Sequence, residues 1–187
     1  YLNTFFSSNS AYPCDAITIN PWLGIDSIKV FTENLLYNKG VFILVHTSNP
    51  GSADLQKKVL MNGNKVYEEL VKMLKPIIRQ HKGKSGLSSI GIVTGATNKK
   101  ETQKLRKQLT ECPFLIPGFG AQGGTLESAR AGLISDTKHK NIFNKGIINS
   151  SRSLCFPKEA GETSTIKDWK KIVQINLLKT NLDLKTC

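Results

Sequence analysis

"PFLIPGFGAQGGTLESARAGL" runs from Pro113 to Leu133 and contains a short apolar run, a glycine-rich turn and the start of a helix. Four of the seven residues from Gly118 to Gly124 are glycine, more than a tight turn needs. Glycine has no Cβ to hold a neighbour off, so such a loop suits a backbone that must come close to something. An anion is the natural candidate, held by backbone N–H groups and by the opening turn of the helix that follows. A strand that ends in a ligand loop and continues into a helix is the repeating unit of an α/β protein.

The same unit recurs along the chain. "DAITIN" (Asp15–Asn20), "GVFILVHT" (Gly40–Thr47), "SIGIVTG" (Ser89–Gly95), "PFLIPG" (Pro113–Gly118) and "GIINSS" (Gly146–Ser151) read as strands. Most are nearly continuous in apolar residues, as expected for parallel strands covered on both faces. Helical patterns separate them. "DSIKVFTENLLYN" opens with an Asp26 or Ser27 cap and aligns Ile28, Phe31, Leu35 and Leu36. "NGNKVYEELVKMLKPIIRQH" aligns Val66, Leu70, Met73 and Leu74, and Pro76 is expected to kink or end it. "NKKETQKLRKQLTE" is a further helix. "STIKDWKKIVQINLLK" is another, with a core stripe of Ile166, Trp169, Ile172, Val173 and Ile175. The alternation predicts a parallel sheet in a single domain over residues 1–187, and periodicity leaves both an open doubly wound sheet and a closed barrel possible.

Composition narrows the function. With 187 residues and 39% hydrophobic content, the chain is long enough for one sizeable core. No run reaches the ~18 apolar residues of a membrane span. The first residue is Tyr1, and the opening segment lacks a signal peptide's charged start and apolar centre, so the chain reads as a processed product or a piece of something longer. Cys14, Cys112, Cys155 and Cys187 are scattered without a C-x-x-C pair, which fits reduced thiols in a cytoplasmic protein. The net charge of +12 suits an anionic ligand. Its lysines are spread over helical faces with no aromatic interleaving, so a solvated basic surface is favoured over a nucleic-acid groove.

In parallel α/β proteins the working residues follow the C-terminal ends of the strands. Those positions read "NPWLG", "HTSNPGSADLQ", "TGATN", "PGFGAQGG" and "SSRSL". Hydroxyls, amides and glycines dominate, and no loop offers His and carboxylates grouped for a metal. His46 stands alone, as a satisfied structural histidine would, while His81 and His139 lie in polar, surface-like segments. The last two loops converge if this is a barrel, bringing glycine amides, Gln122 and Arg152 to one phosphate. A guanidinium fork suits a dianion.

Taken together and in order, "DAITINPWLG", "LVHTSNPGSADLQ", "GIVTGAT", "IPGFGAQGG" and "NSSRS" resemble the orotidine 5'-phosphate decarboxylase family, in its branch with "TSNPGS" and "PGxGAQGG" loops. The resemblance covers about Asp15 to Ser153. It implies a (β/α)8 TIM barrel, of which this chain carries strands 4 to 8, the C-terminal five-eighths. It implies decarboxylation of OMP to UMP and CO2 in de novo pyrimidine biosynthesis, with no metal or organic cofactor. The same resemblance gives Ser48 a hydrogen bond to the pyrimidine and places Pro117 along the base and ribose pocket. Gln122 would span phosphate and base, and Gly123 and Gly124 would let the loop bend. Arg152, with a backbone N–H near Ser151, would take the phosphate. Asn20 and Pro21 shape the site.

The family's D-x-K-x-x-D motif has no match here. "DTKHKN" (Asp136–Asn141) and "LDLKTC" both fail, and the family places the motif just before the segment equivalent to Tyr1. No catalytic residue is therefore assigned in this chain. The resemblance further implies a homodimer of the complete protein, whose sites are completed by an Asp from the second subunit. Nucleic acid and membrane are not expected partners. Competing readings are a sugar-phosphate decarboxylase or aldolase of the same superfamily, a non-catalytic nucleotide-binding remnant, and a basic nucleic-acid module.

Overall fold

The computed structural model describes residues 2–7, 9–33, 38–135, 143–163 and 165–186. Its first part contains α1 (Leu2–Phe6), β1 (Ala16–Ile19), a 3-10 turn (Pro21–Leu23) and α2 (Ile25–Glu33). β2 (Gly40–His46), α3 (Ser52–Leu55), α4 (Val66–Gln80), β3 (Ile90–Thr94), α5 (Lys99–Gln108) and β4 (Phe114–Pro117) follow. The chain then forms α6 (Leu126–Arg130), β5 (Ile134–Ser135), β6 (Phe143–Asn144), β7 (Gly146–Asn149) and α7 (Arg152–Cys155). A second 3-10 turn (Lys158–Glu162) and the long α8 (Ile166–Thr186) complete it.

All five strands expected from the sequence form, and they pair in parallel in the order β1-β2-β3-β4-β7. Each strand lies beside its predecessor and the order never reverses. A doubly wound sheet needs a reversal, so that alternative is removed. Right-handed crossovers that all run one way put their helices on one face, which is the arrangement of a barrel wall.

The register explains where the core sits. Ile17 pairs with Val41 and Ile19 with Ile43, while Val41 and Ile43 pair with Ile90 and Ile92, and Ile92 pairs with Phe114. Ile19, Val41, Ile43, Ile90, Ile92 and Phe114 are buried in one cluster with Tyr67, Val71, Leu74 and Ile78 of α4. Each such side chain contributes roughly 1.5–3 kcal/mol by leaving water. The opposite face carries two rows in register, Thr18–Phe42–Gly91 and Leu44–Val93–Leu115–Ile147. Phe42 lies flat over Gly91, where an added Cβ would sit 2.5 Å from its ring.

Several expectations change here. Only β3 is buried along its whole length; β2 alternates, and Ile147 is 57% exposed, because no second layer covers that face among the described residues. α4 runs through Pro76 without ending. Proline removes one hydrogen bond and crowds the preceding turn, but the ring lies on the exposed face while Tyr67, Val71, Leu74, Ile77 and Ile78 are held in the core. The buried stripe is therefore shifted from the expected one, and Met73 is 50% exposed.

In α8, Trp169, Ile172 and Val173 are half-buried, whereas Ile166 and Ile175 are exposed, so the expected core stripe is only partly covered. Polar contacts hold this helix instead: Trp169 Nε1 donates to the Cys155 carbonyl at 2.9 Å and Asn176 Nδ2 to that of Ser153 at 2.6 Å. Asp26 and Ser27 fall inside α2 rather than capping it. Leu35, Leu36, "DTKHKN" with His139, and Cys187 lie outside the described residues. His81 is not a free surface group, because its two ring nitrogens lie 2.9 Å from the carbonyls of Ile77 and Thr32, joining α4 to α2.

The N-terminal ends of β4 and β7 are fastened by Arg106, which is 6% exposed. Its guanidinium donates to the carbonyls of Gly132, Leu109, Cys112 and Lys145 at 2.7–2.9 Å and lies 3.5 Å over the Phe114 ring. Burial lowers its pKa to about 10, which leaves it charged at neutral pH.

Candidate functional site

Parallel pairing brings every strand-end loop to the opposite edge of the sheet. Asn20 follows β1 there, Thr47 follows β2, Gly95 follows β3, Gly118 follows β4 and Ser150 follows β7.

The glycine-rich loop leaves β4 at Pro117 and folds back on itself. Gly124 N–H donates to the Gly118 carbonyl and Gly120 N–H to that of Gly124, both at 3.0 Å, and Gly123 N–H donates to Gly120 at 2.8 Å. Gly118 and Gly120 have φ of 94° and 79°, in the region that favours glycine. A Cβ on Gly118 would stand 2.5 Å from Ser48 Cβ, and one on Gly120 would stand 2.5 Å from Ser153 Oγ. Gly124 is required for another reason, since a Cβ there would meet the Gly118 carbonyl oxygen at 2.5 Å. Much of the glycine content thus serves close approach between loops. Gly123, at the exposed tip with φ 87°, has no atom within 4 Å of an added Cβ.

Two loops meet across the mouth. Ser48 Oγ donates to Gln122 Oε1 at 2.6 Å, joining residues 74 apart in sequence. Among the described residues the Gln122 amide nitrogen has no partner. Pro117, Gly118, Gln122, Ser151 and Arg152 line a cavity of about 100 Å³. A neighbouring one of about 660 Å³ is lined by Ser48, Asn49, Lys57, Asn98, Gln122 and Arg152 among others. Arg152 is exposed, borders both, and has no carboxylate partner among the described residues. It opens α7, preceded by Ser151, whose Oγ donates to Asn149 Oδ1 at 3.4 Å. Ser150 fixes the two loops together, donating to the Phe119 carbonyl at 2.9 Å and sharing a hydrogen bond with Ser153 at 2.6 Å.

The structure therefore brings Ser48, Pro117, Gln122, Ser151 and Arg152 to one mouth, with Gly123 on its rim. Asn20 does not join them. Its Oδ1 accepts the Trp22 N–H at 3.0 Å, capping the first 3-10 turn, which Pro21 opens. Asn20 instead borders an apolar cavity of about 800 Å³ between β1 and α2.

His46 departs from expectation more sharply. It is fully buried, yet neither ring nitrogen has a hydrogen-bond partner among the described residues. Its ring stacks on Tyr67 with centroids 4.7 Å apart. Burial, reinforced by the nearby Lys57 charge, lowers its pKa to about 4, so it is a neutral packing group directly beneath the Ser48 loop. Sequence reading passed over Lys57, Thr97 and Asn98, all of which border the larger cavity. The available signal was "TGATN", a glycine and hydroxyl-amide pair directly after a continuous apolar strand. No group of three or more His, Cys, Asp or Glu placed to hold a metal occurs among the described residues.

The family model described as Orotidine 5'-phosphate decarboxylase / HUMPS family matches residues 3–164. A Clostridium perfringens protein named orotidine 5'-phosphate decarboxylase is 42% identical over 154 residues, covering 82% of this chain and 51% of that protein. A Haloarcula marismortui protein of the same name is 40% identical over 149 residues, covering 80% of this chain and 48% of its own length. The chain thus spans about half the length of the curated relatives it matches.

Among solved structures, Leishmania donovani OMP decarboxylase superposes with a TM-score of 0.65 at 26% identity, over 98% of this chain and 62% of that one. A Toxoplasma gondii structure described as a putative orotidine-monophosphate-decarboxylase gives 0.71 at 23% identity, over 100% and 64%, and bears on the fold alone. The chain belongs to the orotidine 5'-phosphate decarboxylase / HUMPS family.

Proposed function

We propose that this family member supplies the pyrimidine- and phosphate-binding five-eighths, residues 1–187, of an orotidine 5'-phosphate decarboxylase that converts OMP to UMP and CO2 in pyrimidine biosynthesis. The observation that carries the reading is the Ser48–Gln122 hydrogen bond beside Arg152, which has no carboxylate partner among the described residues. It links a loop suited to a pyrimidine edge to a loop suited to a phosphate, at the strand ends where barrel enzymes work.

In this reading Arg152 and the backbone around Ser151 grip the phosphate dianion through charge-assisted hydrogen bonds. Gln122 spans phosphate and base from the loop that Gly123 and Gly124 let bend, Ser48 addresses the pyrimidine, and Pro117 forms the wall between. Loss of CO2 leaves a carbanion at C6 of the ring. Its stabilisation and protonation fall to the Lys of the family's D-x-K-x-x-D motif, which this sequence does not contain, so those groups are assigned to the barrel's other three strands. The phosphate loops contribute remote binding energy that closes the site and is realised at the transition state. The apolar face bearing Phe42, Leu115 and Ile147 is the interior that those strands would cover. The complete protein is expected to be a cytoplasmic homodimer that needs no cofactor.

The test is conversion of OMP to UMP by the complete gene product, followed through CO2 release. Turnover that falls at least tenfold in Gln122→Ala supports the reading. Tight UMP binding without any CO2 release would reduce it to nucleotide binding, and indifference to OMP with turnover of a sugar phosphate would replace it.

A further inference from the structure

The Ser48 loop is held from behind by Thr97 and Asn98 of the β3–α5 loop and by Lys57, all of which border the larger cavity. Three consecutive carbonyls at the end of β2 each accept a hydrogen bond from the β3–α5 loop. His46 O takes the Gly95 N–H at 2.7 Å, Thr47 O takes Asn98 Nδ2 at 3.3 Å, and Ser48 O takes the Thr97 hydroxyl at 3.2 Å. The loops are packed as close as backbone allows, since a Cβ on Gly95 would lie 2.6 Å from Ser48 Cα.

The donors run in one direction. Lys57 Nζ donates to Asn98 Oδ1 at 3.0 Å, and Asn98 Nδ2 also donates to Thr97 Oγ1 at 3.2 Å. Thr97 then donates to the Ser48 carbonyl, and Ser48 Oγ donates to Gln122. Asn98 is 8% exposed, with its amide oxygen and nitrogen both engaged. A hydrogen-bond chain headed by a cation polarises each successive member, and the buried Asn98, with both amide atoms engaged, is held in one orientation. The base of the loop is pinned separately: Thr47 N–H donates to Gln56 Oε1, and Gln56 Nε2 donates to Thr47 Oγ1, both at 2.9 Å.

We propose that Asn98 and Thr97, oriented by Lys57, are positioning residues that aim Ser48 at the pyrimidine and thereby set base recognition separately from phosphate recognition. The proposal rests on the reading of Ser48 as the base contact. The split follows from where the network bonds: Thr97 donates to the Ser48 carbonyl, the one link onward is Ser48 Oγ to Gln122, and among the described residues no hydrogen bond joins the network to Ser151 or Arg152 at the start of α7.

The experiment compares UMP with ribose 5-phosphate, which lacks the base, in titrations of the protein and of Thr97→Val, Asn98→Asp and Ser48→Ala. Thr97 is exposed, so its valine variant keeps the fold even where the Asn98 variant does not. Thr97→Val and Asn98→Asp are expected to weaken UMP about tenfold and leave ribose 5-phosphate unchanged. Combining Thr97→Val with Ser48→Ala is expected to add little to Ser48→Ala alone. If Ser48→Ala weakens UMP selectively and Thr97→Val does not, the positioning role is overturned and the reading of Ser48 stands. If Ser48→Ala changes neither ligand, both are overturned. Equal weakening of the two ligands by Thr97→Val would make the network a general scaffold and likewise overturn the proposal.

Discussion

At the N-terminal ends of β4 and β7 one arginine, Arg106, is buried and spends its guanidinium on four backbone carbonyls. At the C-terminal ends of the same strands another, Arg152, is exposed beside two cavities and has no acidic partner among the described residues. Surroundings decide the role of each. Where four carbonyls from three chain segments converge, a cation without a counter-ion becomes a fastener. Where glycine and serine backbone surround it, the same fork stays available for a ligand.

The strongest way to break this contrast is to truncate each arginine and ask which property fails. Arg106→Ala would remove the side-chain donor of the Gly132 and Cys112 carbonyls and leave those of Lys145 and Leu109 with only their backbone N–H partners, so about 3–5 kcal/mol of folding stability should disappear. Urea denaturation reads this directly, and a loss under 1 kcal/mol would end the fastener role. Arg152→Ala should leave the urea midpoint unchanged and weaken UMP by on the order of 10²-fold, or roughly 3 kcal/mol.

The two ends also respond differently to acid. Arg106 titrates at about 10 and stays charged. His46 titrates at about 4 instead of 6.5, chiefly because burial opposes its charge. As pH falls below 6.5 the unfolded chain takes up a proton that the folded chain refuses, so stability is lost progressively down to about pH 4. The loss amounts to up to ~3 kcal/mol and then levels off. His46→Phe should flatten that acid slope, and an unchanged slope would show that another group carries it.

Smallest are the glycine effects. Gly118→Ala combines a positive φ with a clash against Ser48 and should cost about 2 kcal/mol, with weaker UMP binding. Gly123→Ala has the same strain and open space, so about 1 kcal/mol is expected. Equal costs would mean that crowding at Ser48 is not felt.

The strands were legible because β-branched runs such as "GVFILV" and "SIGIV" admit few alternatives, and the loop residues followed from the rule that strand C-termini gather on one edge. Periodicity carries no information about which strands are neighbours, so the strand order came from the family resemblance and is seen directly in the pairing. Pro76 misled because sequence cannot show that its ring faces water while Ile77 and Ile78 anchor the turn. The glycines after β4 were legible as demanding close approach. Their partners, Ser48 in the loop after β2 and Ser153 in α7, are distant in sequence and only tertiary packing brings them near. Asn98 reads as an ordinary loop amide in the sequence, and only its burial and its bonds to Lys57, Thr97 and the Thr47 carbonyl set it apart.

The most direct test of the nucleotide site is a parallel titration of UMP and uridine into the protein and into Arg152→Ala. Strong preference for UMP over uridine, abolished by the substitution, is the predicted result. Equal affinity for the two ligands, or UMP binding that survives the loss of Arg152, would contradict it.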